Sequence, residues 1–419
     1  MDVEIVAIGN ELLLGETVDT NSAYAARRLA EIGARLSRVT VVGDDRARMR
    51  RALEEARDRA RWVITTGGLG PTRDDLTRPV VAEVFGLPLE IDAGVLEDVE
   101  ERFRRFGYAT MPASNRCQAE VPRGARVIPN THGSAPGLIV EGQGCTFFVL
   151  PGVPAEMRAL LEEAVLPVLA AANGGKAPVV RSLVVHTAGI GESALAERLD
   201  EVLAHAEPIE VAYLPHLGMV DVRLTLAGLP RDEADRMLSG LAEKVLTLAT
   251  PYAYGTDDQT LPRAIGEGLE RRGWRLAVAE SMTSGELGAE ITSVPGSSAW
   301  FLGGVLAYAN EVKEALLEVP RDTLERHGAV SEETCRAMLA GVRRALSAEV
   351  GCAITGIAGP AGGSAEKPVG RVWIGVETPD GAELRKLDSP GDRDEVRRRA
   401  TVAALALLWR RLRPEGEPS

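Results

Sequence analysis

The residues best suited to chemistry lie in the last third of the chain, and the clearest pair is a serine and a lysine. Ser281 follows "RLAVAE", an apolar segment with the pattern of a buried strand, and Lys313 lies in "YANEVKEALL". A serine attacks a carbonyl when a base activates it, and a lysine serves as that base when its pKa is lowered. With Asn310 as the N-cap residue, Lys313 takes the third helical position, where the helix dipole disfavours the protonated amine. The alternative interpretation is a solvent-facing lysine on an amphipathic helix.

The stretch "AESMTSGELG" contains a predicted helix start beside the candidate nucleophile. Thr283 and Glu286 have the spacing of a capping box, which predicts that the Thr283 side chain begins the helix. Ser281 precedes that cap, at the point where the strand ends, so helix capping does not account for it.

A glycine-rich loop, "TGIAGPAGGSAEKPVG" (355–370), separates two further predicted strands. It is longer than a plain hairpin connection requires, which favours a functional loop. Its exposed backbone amides, together with Thr355 and Lys367, suit a phosphate group. It is not a Walker loop, because Lys367 lacks the Gly-Lys-Ser/Thr context and no helix follows directly.

The first third of the chain holds a second group of loops suited to phosphate chemistry. In "TTGGLGPTRDDLT" (65–77), three glycines follow a predicted strand and let backbone amides approach an anion, while Asp74 and Asp75 offer oxygen ligands for a divalent cation. "GNELLLGETVDTN" also follows a predicted strand and brings Glu11, Asp19 and Asn21 to the same sheet edge. "LPGVPAEM", with Gly152, follows another predicted strand and offers further backbone amides. The simpler alternative is that these glycines only make turns.

The elements that must position these residues alternate between strands and helices. Over residues 1–170 the alternation is typical of a parallel sheet covered by helices, whose ligands bind beyond the carboxyl ends of the strands. Residues 171–254 open with the linker-like "AANGGKAP" (171–178) and continue as strand, helix, two strands and helix, a small α+β unit. Residues 255–419 form a second α/β domain. The main predicted helices span 21–34, 46–60, 231–248, 331–347 and 393–411.

The composition argues against several kinds of binding partner and site. A formal net charge of −13 and an aromatic content of 4% argue against broad nucleic-acid binding, which needs cations for phosphates and rings for bases. The cysteines, Cys117, Cys145, Cys335 and Cys352, are too scattered for a zinc site or a disulfide framework. The histidines of the middle domain are expected to have structural or surface roles; they are His186, His205 and His216.

No apolar run reaches the length needed to span a membrane, and the chain opens on a strand pattern, "VEIVAIGN", without a basic leader. We therefore expect a soluble, cytoplasmic protein.

The loops of the first domain resemble those of the molybdopterin-binding domain family. "TTGGLGPTRDDLT" is similar to that family's Gly-Gly-x-Gly loop with its downstream acid, which aligns best with Asp75. Taken together, the three loops resemble the N-terminal domain of the CinA (competence/damage-inducible protein A) family, which implies metal-dependent ADP-ribose pyrophosphatase activity. The expected phosphate-binding residues are Gly67, Gly68, Gly70 and Gly152. The expected ligands of a divalent cation of unspecified identity are Asp75, Asp74, Asp19 and Glu11.

The last domain resembles the nicotinamide-nucleotide amidohydrolase domain of the same family. The segments that carry the resemblance occur in order: "AESMTSG", "VPGSSAWFLGGVLAYANEVK", "HGAVSEET", "TGIAGPAGGSAEKPVGRVWIGV" and "SPGDRDEVRRRA". The resemblance covers nearly the whole chain. It implies cofactor-free hydrolysis of nicotinamide mononucleotide to nicotinate mononucleotide and ammonia, and a homodimer.

Carried onto this chain, the resemblance implies Ser281 as nucleophile and Lys313 as base, with Ser298 or Tyr308 relaying the proton. Ser298 stays open as the alternative nucleophile. Arg393 and the amides of the glycine-rich loop are expected to hold the 5′-phosphate. The full set of expected substrate-binding residues is Thr283, Thr355, Gly356, Gly359, Gly362, Gly363 and Arg393.

The chain departs from the family pattern beside Ser281. The family usually reads Glu-Ser-Cys-Thr-Gly-Gly, whereas Met282 and Ser284 replace the cysteine and the first glycine here. Met282 is a plausible packing replacement. Ser284 places a side chain where glycine allows a close ligand approach or a positive φ.

Three functions are compatible with these patterns. The leading prediction is a bifunctional hydrolase of nicotinamide mononucleotide and ADP-ribose. The second keeps only the pyrophosphatase, with a nucleotide-binding last domain. The third is a non-catalytic adaptor for DNA uptake or recombination.

Overall fold

A computed structural model describes residues 1–105, 107–174 and 179–413 of the chain. These residues fall into two compact units, Met1–Arg181 with Ala227–Ala234 and Ser182–Leu226 with Asp235–Ser419. Residues 175–178 of the predicted linker and 414–419 of the predicted last domain lie outside the described residues.

The first unit contains a six-stranded sheet, a two-stranded sheet and seven α-helices. Its strands are β1 (Asp2–Ile8), β2 (Arg35–Val42), β3 (Trp62–Thr66), β4 (Leu89–Ile91), β5 (Glu120–Pro122), β6 (Arg126–Ile128), β7 (Gly137–Gly142) and β8 (Cys145–Leu150). Its helices are α1 (Asn10–Leu13), α2 (Thr20–Glu31), α3 (Arg46–Arg59), α4 (Thr77–Phe85), α5 (Ala93–Arg105), α6 (Pro154–Leu160) and α7 (Leu166–Ala172). A π-helical turn, Leu161–Val165, joins α6 to α7, so the start of the predicted linker is helical.

The six-stranded sheet has the order β2-β1-β3-β8-β7-β6. The first four strands are parallel, and β7 and β6 run antiparallel. All five residues of β3 and all six of β8 are buried, as expected for strands covered by helices on both faces. The predicted parallel α/β arrangement is confirmed, and the loops after β1, β3 and β8 meet at one edge of the sheet.

The rest of the chain adds strands β9 (Val179–Ala188), β10 (Glu210–His216), β11 (Met219–Leu229), β12 (Ala253–Thr256), β13 (Leu276–Glu280), β14 (Phe301–Leu306), β15 (Val350–Gly356), β16 (Arg371–Thr378) and β17 (Gly381–Asp388). The remaining helices are α8 (Glu192–Leu203), α9 (Arg231–Leu248), α10 (Leu261–Arg272), α11 (Glu286–Thr292), α12 (Asn310–Leu317), α13 (Arg321–His327), α14 (Glu332–Leu346) and α15 (Arg393–Leu412).

A four-stranded sheet, in the order β10-β11-β9-β12, forms the middle part of the chain. The predicted strand, helix, two strands and helix are all present. The fourth strand, β12, was missed, and the predicted domain boundary at residue 254 falls inside it. The stretch "YAYGTDD" reads as a turn from its composition, yet Ala253 pairs with Thr187 and Thr256 with Val185 of β9.

A five-stranded sheet, in the order β14-β13-β15-β16-β17, forms the last part. Strands β14, β13 and β15 are parallel, so their carboxyl ends bring together the residues that follow Leu306, Glu280 and Ile354. Strand β17 was missed because half of the residues in "GAELRKLD" are charged and none of its residues is fully buried. One face of this sheet packs under α10, α11 and α15, and the other packs under α14.

All four cysteines are free, as the absence of a disulfide pattern predicts. Within the described residues, no helix combines the length and the apolar character required to cross a bilayer.

Candidate active sites

The first candidate site lies at the carboxyl edge of the five-stranded sheet, where Ser281 and Lys313 meet. Ser281 directly follows β13, and its amide donates to the Ile354 carbonyl of β15 over 3.0 Å. Lys313 is on α12 and only 1% exposed, and its Nζ lies 3.2 Å from Ser281 Oγ. The interpretation of Lys313 as a solvent-facing residue is therefore wrong.

Two backbone carbonyls complete the surroundings of the lysine. Lys313 Nζ donates to the carbonyls of Ala307 over 2.7 Å and Tyr308 over 3.0 Å. A neutral amine has two N–H groups and one lone pair. The Nζ has three oxygen neighbours, the Ser281 hydroxyl and the two carbonyls, and a protonated lysine donates to all three. Once neutral, the amine keeps its two N–H groups on the carbonyls and can direct its lone pair at the Ser281 hydroxyl.

The electrostatics of the site shift the lysine toward the neutral form that a base requires. Burial lowers the pKa of Lys313 from 10.5 to about 8, and the nearby Glu311 carboxylate opposes this only in part. The predicted cause was the helix dipole, with Asn310 as the N-cap. That capping assignment is wrong, since Ala309 is the N-cap and makes no side-chain cap bond. Desolvation of the amine is the main cause.

Glu280, which was not predicted, organises the turn that carries Ser281. Its carboxylate is 1% exposed and accepts from the amides of Gly285, Leu287 and Gly288 over 2.9, 3.1 and 2.9 Å. The predicted capping box is wrong, because Gly285 is the N-cap of α11 and the buried Thr283 hydroxyl has no partner among the described residues. A carboxylate at the end of a buried strand requires hydrogen bonds, and this was the available signal.

The two departures from the family pattern have different consequences. Met282 is 4% exposed and packs in the core beneath α15. Ser284 is exposed and has φ 50°, in the left-handed region that favours glycine. Of the two reasons given for a glycine at this position, a close ligand approach or a positive φ, the structure shows the positive φ.

Arg393, the first residue of α15, connects two walls of the site. Its Nη1 donates to the Gly359 carbonyl over 2.6 Å and its Nη2 to the Tyr308 hydroxyl over 3.3 Å. Among the described residues, the amides of Gly359, Gly362 and Gly363 have no protein acceptor. The Arg393 guanidinium on α15 therefore contacts the glycine-rich loop that carries these free amides.

Two other residues predicted to meet a phosphate are already bound to protein carbonyls. The buried Thr355 hydroxyl donates to Ala329 over 2.7 Å, and Lys367 Nζ donates to His327 over 2.5 Å. These bonds tie the glycine-rich loop to the last residue of α13, and the preceding strand to the segment that follows α13. We therefore correct their role from ligand contact to loop support. Gly356 is the last residue of β15, and its missing side chain lets Arg371 and Val372 pass closely.

Ser298 lies away from this site within the chain. It is in the 3-10 helix Ser297–Ala299, immediately before β14. Parallel β13 and β14 pair Leu276 with Phe301 at one end and Glu280 with Leu306 at the other. At about 3.3 Å per residue, Ser298 is about 15 Å from Ser281. The register removes Ser298 as a rival nucleophile or relay in the same chain.

Tyr308 contributes to the Lys313 site through its backbone. Its carbonyl accepts from Lys313, whereas its 60% exposed side chain places its hydroxyl against Arg393. The predicted relay role of the phenol is therefore not supported by a contact with either Ser281 or Lys313 in the described residues.

The second candidate site is a cavity of about 440 Å³ at the carboxyl edge of the six-stranded sheet. The loops after β1, β3 and β8 all line it. It brings together seven of the eight residues predicted for this domain: Glu11, Gly67, Gly68, Gly70, Asp74, Asp75 and Gly152. Asp19 is the exception, because its carboxylate caps α2 by accepting from the Ser22 amide over 2.9 Å.

Much of the glycine loop after β3 packs closely against the ends of neighbouring elements of the sheet. Gly67 and Gly68 have φ 107° and 66°, and a Cβ there would lie 2.1 Å from the Ile8 carbonyl oxygen and 2.2 Å from Thr77 Oγ1. The amide of Gly67 donates to Leu150 over 3.1 Å. Of the four predicted glycine amides, those of Gly68 and Gly152 have no protein acceptor among the described residues. The interpretation of the glycines as turn residues thus holds for part of the loop.

Asp75 organises this loop from within. Its Oδ1 accepts from the Gly70 amide over 2.7 Å, and its Oδ2 accepts from the amide and hydroxyl of Thr72 over 2.8 and 2.7 Å. In the described part of the chain, no group of three or more histidine, cysteine, aspartate or glutamate residues is arranged to hold a metal. The predicted four-acid ligand set is therefore not assembled. The exposed Glu11 and Asp74 suit a cation shared with substrate phosphates, the usual way in which Mg²⁺ is bound.

Glu156 is the cavity residue that sequence reasoning passed over. It lines the cavity from the start of α6, its Oε2 accepts from Asn130 Nδ2 over 2.5 Å, and burial raises the pKa of its carboxyl. It lies in the "LPGVPAEM" segment, so its position after a strand was the available signal. Asn21 ties two of the loops together by donating to Thr66 Oγ1 over 3.1 Å and to the Gly152 carbonyl over 2.8 Å.

Comparison with protein families identifies three domains in the chain. Residues 4–171 match the family described as "Probable molybdopterin binding domain", residues 182–255 the damage-inducible protein CinA KH domain, and residues 258–412 the CinA C-terminal domain. The protein is thus an α/β chain with a molybdopterin-binding-like N-terminal domain, a KH-like middle domain and a CinA C-terminal domain.

Full-length relatives define the family. A CinA-like protein of Gemmatimonas aurantiaca is 46% identical over 98% of this chain and 96% of its own length. A CinA-like protein of Parasynechococcus marenigrum is 44% identical, with 98% of each chain covered. A crystal structure of the protein CinA from Thermoplasma acidophilum is 35% identical, with 40% of this chain and 97% of that chain covered and a TM-score of 0.37. The chain belongs to the CinA family.

Proposed function

We propose that the C-terminal domain hydrolyses the carboxamide of nicotinamide mononucleotide to nicotinate mononucleotide and ammonia. We also propose that the N-terminal domain hydrolyses ADP-ribose to AMP and ribose 5-phosphate. The observation that carries the first activity is the buried pair of Ser281 and Lys313, whose pKa of about 8 leaves a usable fraction of neutral amine near neutral pH. A buried lysine that faces a hydroxyl and no carboxylate has little structural benefit.

The amidase reaction follows from this pair. Lys313 Nζ removes the proton of Ser281 Oγ as that oxygen bonds to the carboxamide carbon. The protonated lysine then gives its proton to the departing nitrogen, the C–N bond breaks, and ammonia leaves. Water, activated by the same lysine, hydrolyses the ester to release the carboxylate and restore the serine.

The turn after Ser281 supplies donors for the negative oxygen that forms on the substrate. The amides of Met282, Thr283 and Ser284 have no acceptor among the described residues. The Glu280 carboxylate fixes this turn by accepting hydrogen bonds from the amides of Gly285 and Leu287. The free amides of the turn therefore need little rearrangement to stabilise the oxyanion. Arg393 and the free amides of Gly359, Gly362 and Gly363 are the proposed donors to the 5′-phosphate.

In the N-terminal cavity, the free amides of Gly68 and Gly152 are the proposed donors to the diphosphate. A divalent cation held by Glu11 and Asp74 together with the substrate would neutralise the phosphate charge. Glu156 is the proposed acceptor of the proton of the attacking water, because burial raises its pKa and, among the described residues, only its Oε2 accepts a hydrogen bond, from Asn130.

One assay of the purified protein tests both activities. We expect ammonia release from nicotinamide mononucleotide with and without chelator, and AMP formation from ADP-ribose only without it. Absence of ammonia with intact AMP formation would contradict the amidase and favour a nucleotide-binding last domain. Absence of both products would favour the adaptor.

A further inference from the structure

A third cavity, of about 660 Å³, lies between the four-stranded sheet and helices α11 and α15. The sheet side presents His186, Asp221 and Tyr254, and the helix side presents Glu290 and Thr401. Its volume is in the range of small-molecule sites. None of its residues belongs to either proposed active site.

Two buried hydroxyls in this cavity have poor hydrogen bonding. Thr401 is 2% exposed, and its Oγ1 has no partner among the described residues. Tyr254 is 9% exposed, and its hydroxyl reaches only the sulfur of Met219, a weak acceptor, at 3.8 Å. A buried hydroxyl without a partner is costly, so these groups indicate a ligand that completes their hydrogen bonds.

The charges around the cavity define the ligand class. Both ring nitrogens of His186 lie 2.8 Å from acceptors, the Asp221 carboxylate and the Asp257 carbonyl, an arrangement that only the imidazolium can satisfy. The Asp221 charge is thereby compensated within the protein. Glu290, in contrast, has no ion-pair partner in the described part of the chain.

The rest of the cavity rim is also predominantly acidic. Glu286 lies beside the exposed Glu290 on α11, and Asp257 completes four lining carboxylates. Against them stand His186 and the exposed Arg398 as lining cations, His216 as a further lining imidazole, and Arg397, which pairs with Glu286. An excess of negative charge disfavours a phosphate and favours an organic cation.

Both helices that line the cavity also reach the Ser281 site. Helix α11 begins directly after the Ser281 turn, and α15 begins with Arg393. Between them, Arg397 Nη2 donates to the Thr283 carbonyl over 2.9 Å and lies 3.5 Å from Glu286. A ligand that shifts either helix would therefore move groups of the proposed amidase site.

We infer that this cavity binds a small, phosphate-free organic cation, and that its occupancy changes substrate binding at Ser281 through α11 and α15. The binding statement stands on the cavity alone. The coupling statement rests on the proposed amidase function.

Three ligands of nearly equal shape test the binding statement by calorimetry on the full chain: benzamidinium, neutral benzamide and anionic benzoate. We expect benzamidinium to bind, benzamide to bind about tenfold more weakly, as for the loss of one charged hydrogen bond, and benzoate not to bind. Equal binding of benzoate, or no binding of benzamidinium, would overturn the cation site.

Two substitutions assign that binding to this cavity. T401V removes the unpartnered hydroxyl and keeps the shape, so the thermal midpoint should hold or rise while benzamidinium affinity falls about tenfold. E290Q should have a similar effect on affinity. E201Q, on the exposed face of α8, removes a carboxylate outside the cavity and should leave affinity unchanged, and so should S281A. Unchanged affinity in T401V and E290Q would overturn the assignment.

The coupling is measured separately. Saturating benzamidinium should change the KM for nicotinamide mononucleotide at least about twofold in the wild-type protein, and in T401V the benzamidinium concentration that gives half of this change should rise about tenfold. Binding of benzamidinium without any change in KM would overturn the coupling statement but not the binding statement. A protein with no amidase activity would still give the calorimetric result, so failure of the proposed function is distinguishable from failure of the cavity.

Discussion

The two candidate sites use their motif residues in opposite ways. In the N-terminal cavity, the predicted ligand Asp75 already accepts three hydrogen bonds from Gly70 and Thr72, and the amide of Gly67 donates to the Leu150 carbonyl. At the C-terminal site, the predicted nucleophile and base come from different elements and face each other without a carboxylate between them.

This difference shows which sequence signals report on chemistry. Glycine and aspartate are common in ligand loops, but the same residues also build tight turns, so their presence alone does not separate the two roles. A buried lysine is rare and energetically costly. Its location beside Ser281 is therefore stronger evidence of chemistry than any single glycine-rich loop.

The largest expected effect is on the nucleophile. S281A should lower ammonia release by about 10³-fold or more, because no other hydroxyl lies within reach of Lys313 in the described structure. AMP formation from ADP-ribose, measured on the same preparation, is the matched control and should not change. Retained deamidation would show that Ser281 is not the nucleophile, and the contrast between the two candidate sites would no longer hold.

The base should show the next largest effect. K313M should lower kcat/KM for deamidation by about 10²- to 10⁴-fold. Since the neutral amine is the active form, kcat/KM of the wild type should rise with pH and level off above a pKa of about 8. A wild-type profile that is flat from pH 6 to 9 would contradict Lys313 as the base.

The same substitution has a stability signature. The folded-state pKa of Lys313 is about 8, below its ordinary 10.5, so the unfolded chain binds more protons between these values. Stability of the wild type should therefore gain as pH rises through that window, relative to K313M. Denaturant unfolding at pH 7.5 and 10 measures the difference; no difference would indicate an ordinary, hydrated lysine.

The phosphate contact should have a smaller and more selective effect. R393M should raise the KM for nicotinamide mononucleotide by about 10- to 100-fold, the range of a lost charged hydrogen bond, with kcat changed less. Nicotinamide riboside, which has no phosphate, is the control substrate. An equal loss with both substrates would show that Arg393 supports the loop through Gly359 and does not bind phosphate.

In the N-terminal domain, Asp75 should behave as a loop residue. D75N places an amide group against the donors of Gly70 and Thr72, which should cost about 1–3 kcal/mol of stability and raise the KM for ADP-ribose. The metal concentration for half activity should stay unchanged, in contrast to E11Q and D74N. A selective loss of metal affinity in D75N would show that Asp75 is a metal ligand. The motif residues would then take part in the chemistry at both sites.

The smallest expected effect concerns the turn beside Ser281. S284G should stabilise the chain by about 1 kcal/mol, because a non-glycine residue in the left-handed region carries a cost of that size. Deamidase activity should be retained. Denaturant midpoints and ammonia release measure the two quantities, and a lower midpoint would show that Ser284 makes a stabilising contact.

Local patterns predicted most of the elements and several site residues. The helices predicted at 46–60, 231–248 and 393–411 correspond to α3, α9 and α15, with ends that differ by at most a residue or so. Strands β12 and β17 were missed, because they are held by pairing with β9 and β16 and have little apolar periodicity of their own. The cap by Glu280 was also missed, because its carboxylate lies at the end of a strand and accepts from amides across the tight turn to the following helix.

The sequence by itself determined the alternation of strands and helices, the family, and Ser281 and Lys313 as a possible pair. These depend on periodicity, turn chemistry and short motifs, which act between neighbouring residues. The tertiary structure alone decided that Lys313 is buried against Ser281, that Ser298 lies at the other end of the sheet, and that Asp75 binds its own loop. Those outcomes depend on strand order, register and desolvation, which arise only when distant segments pack together.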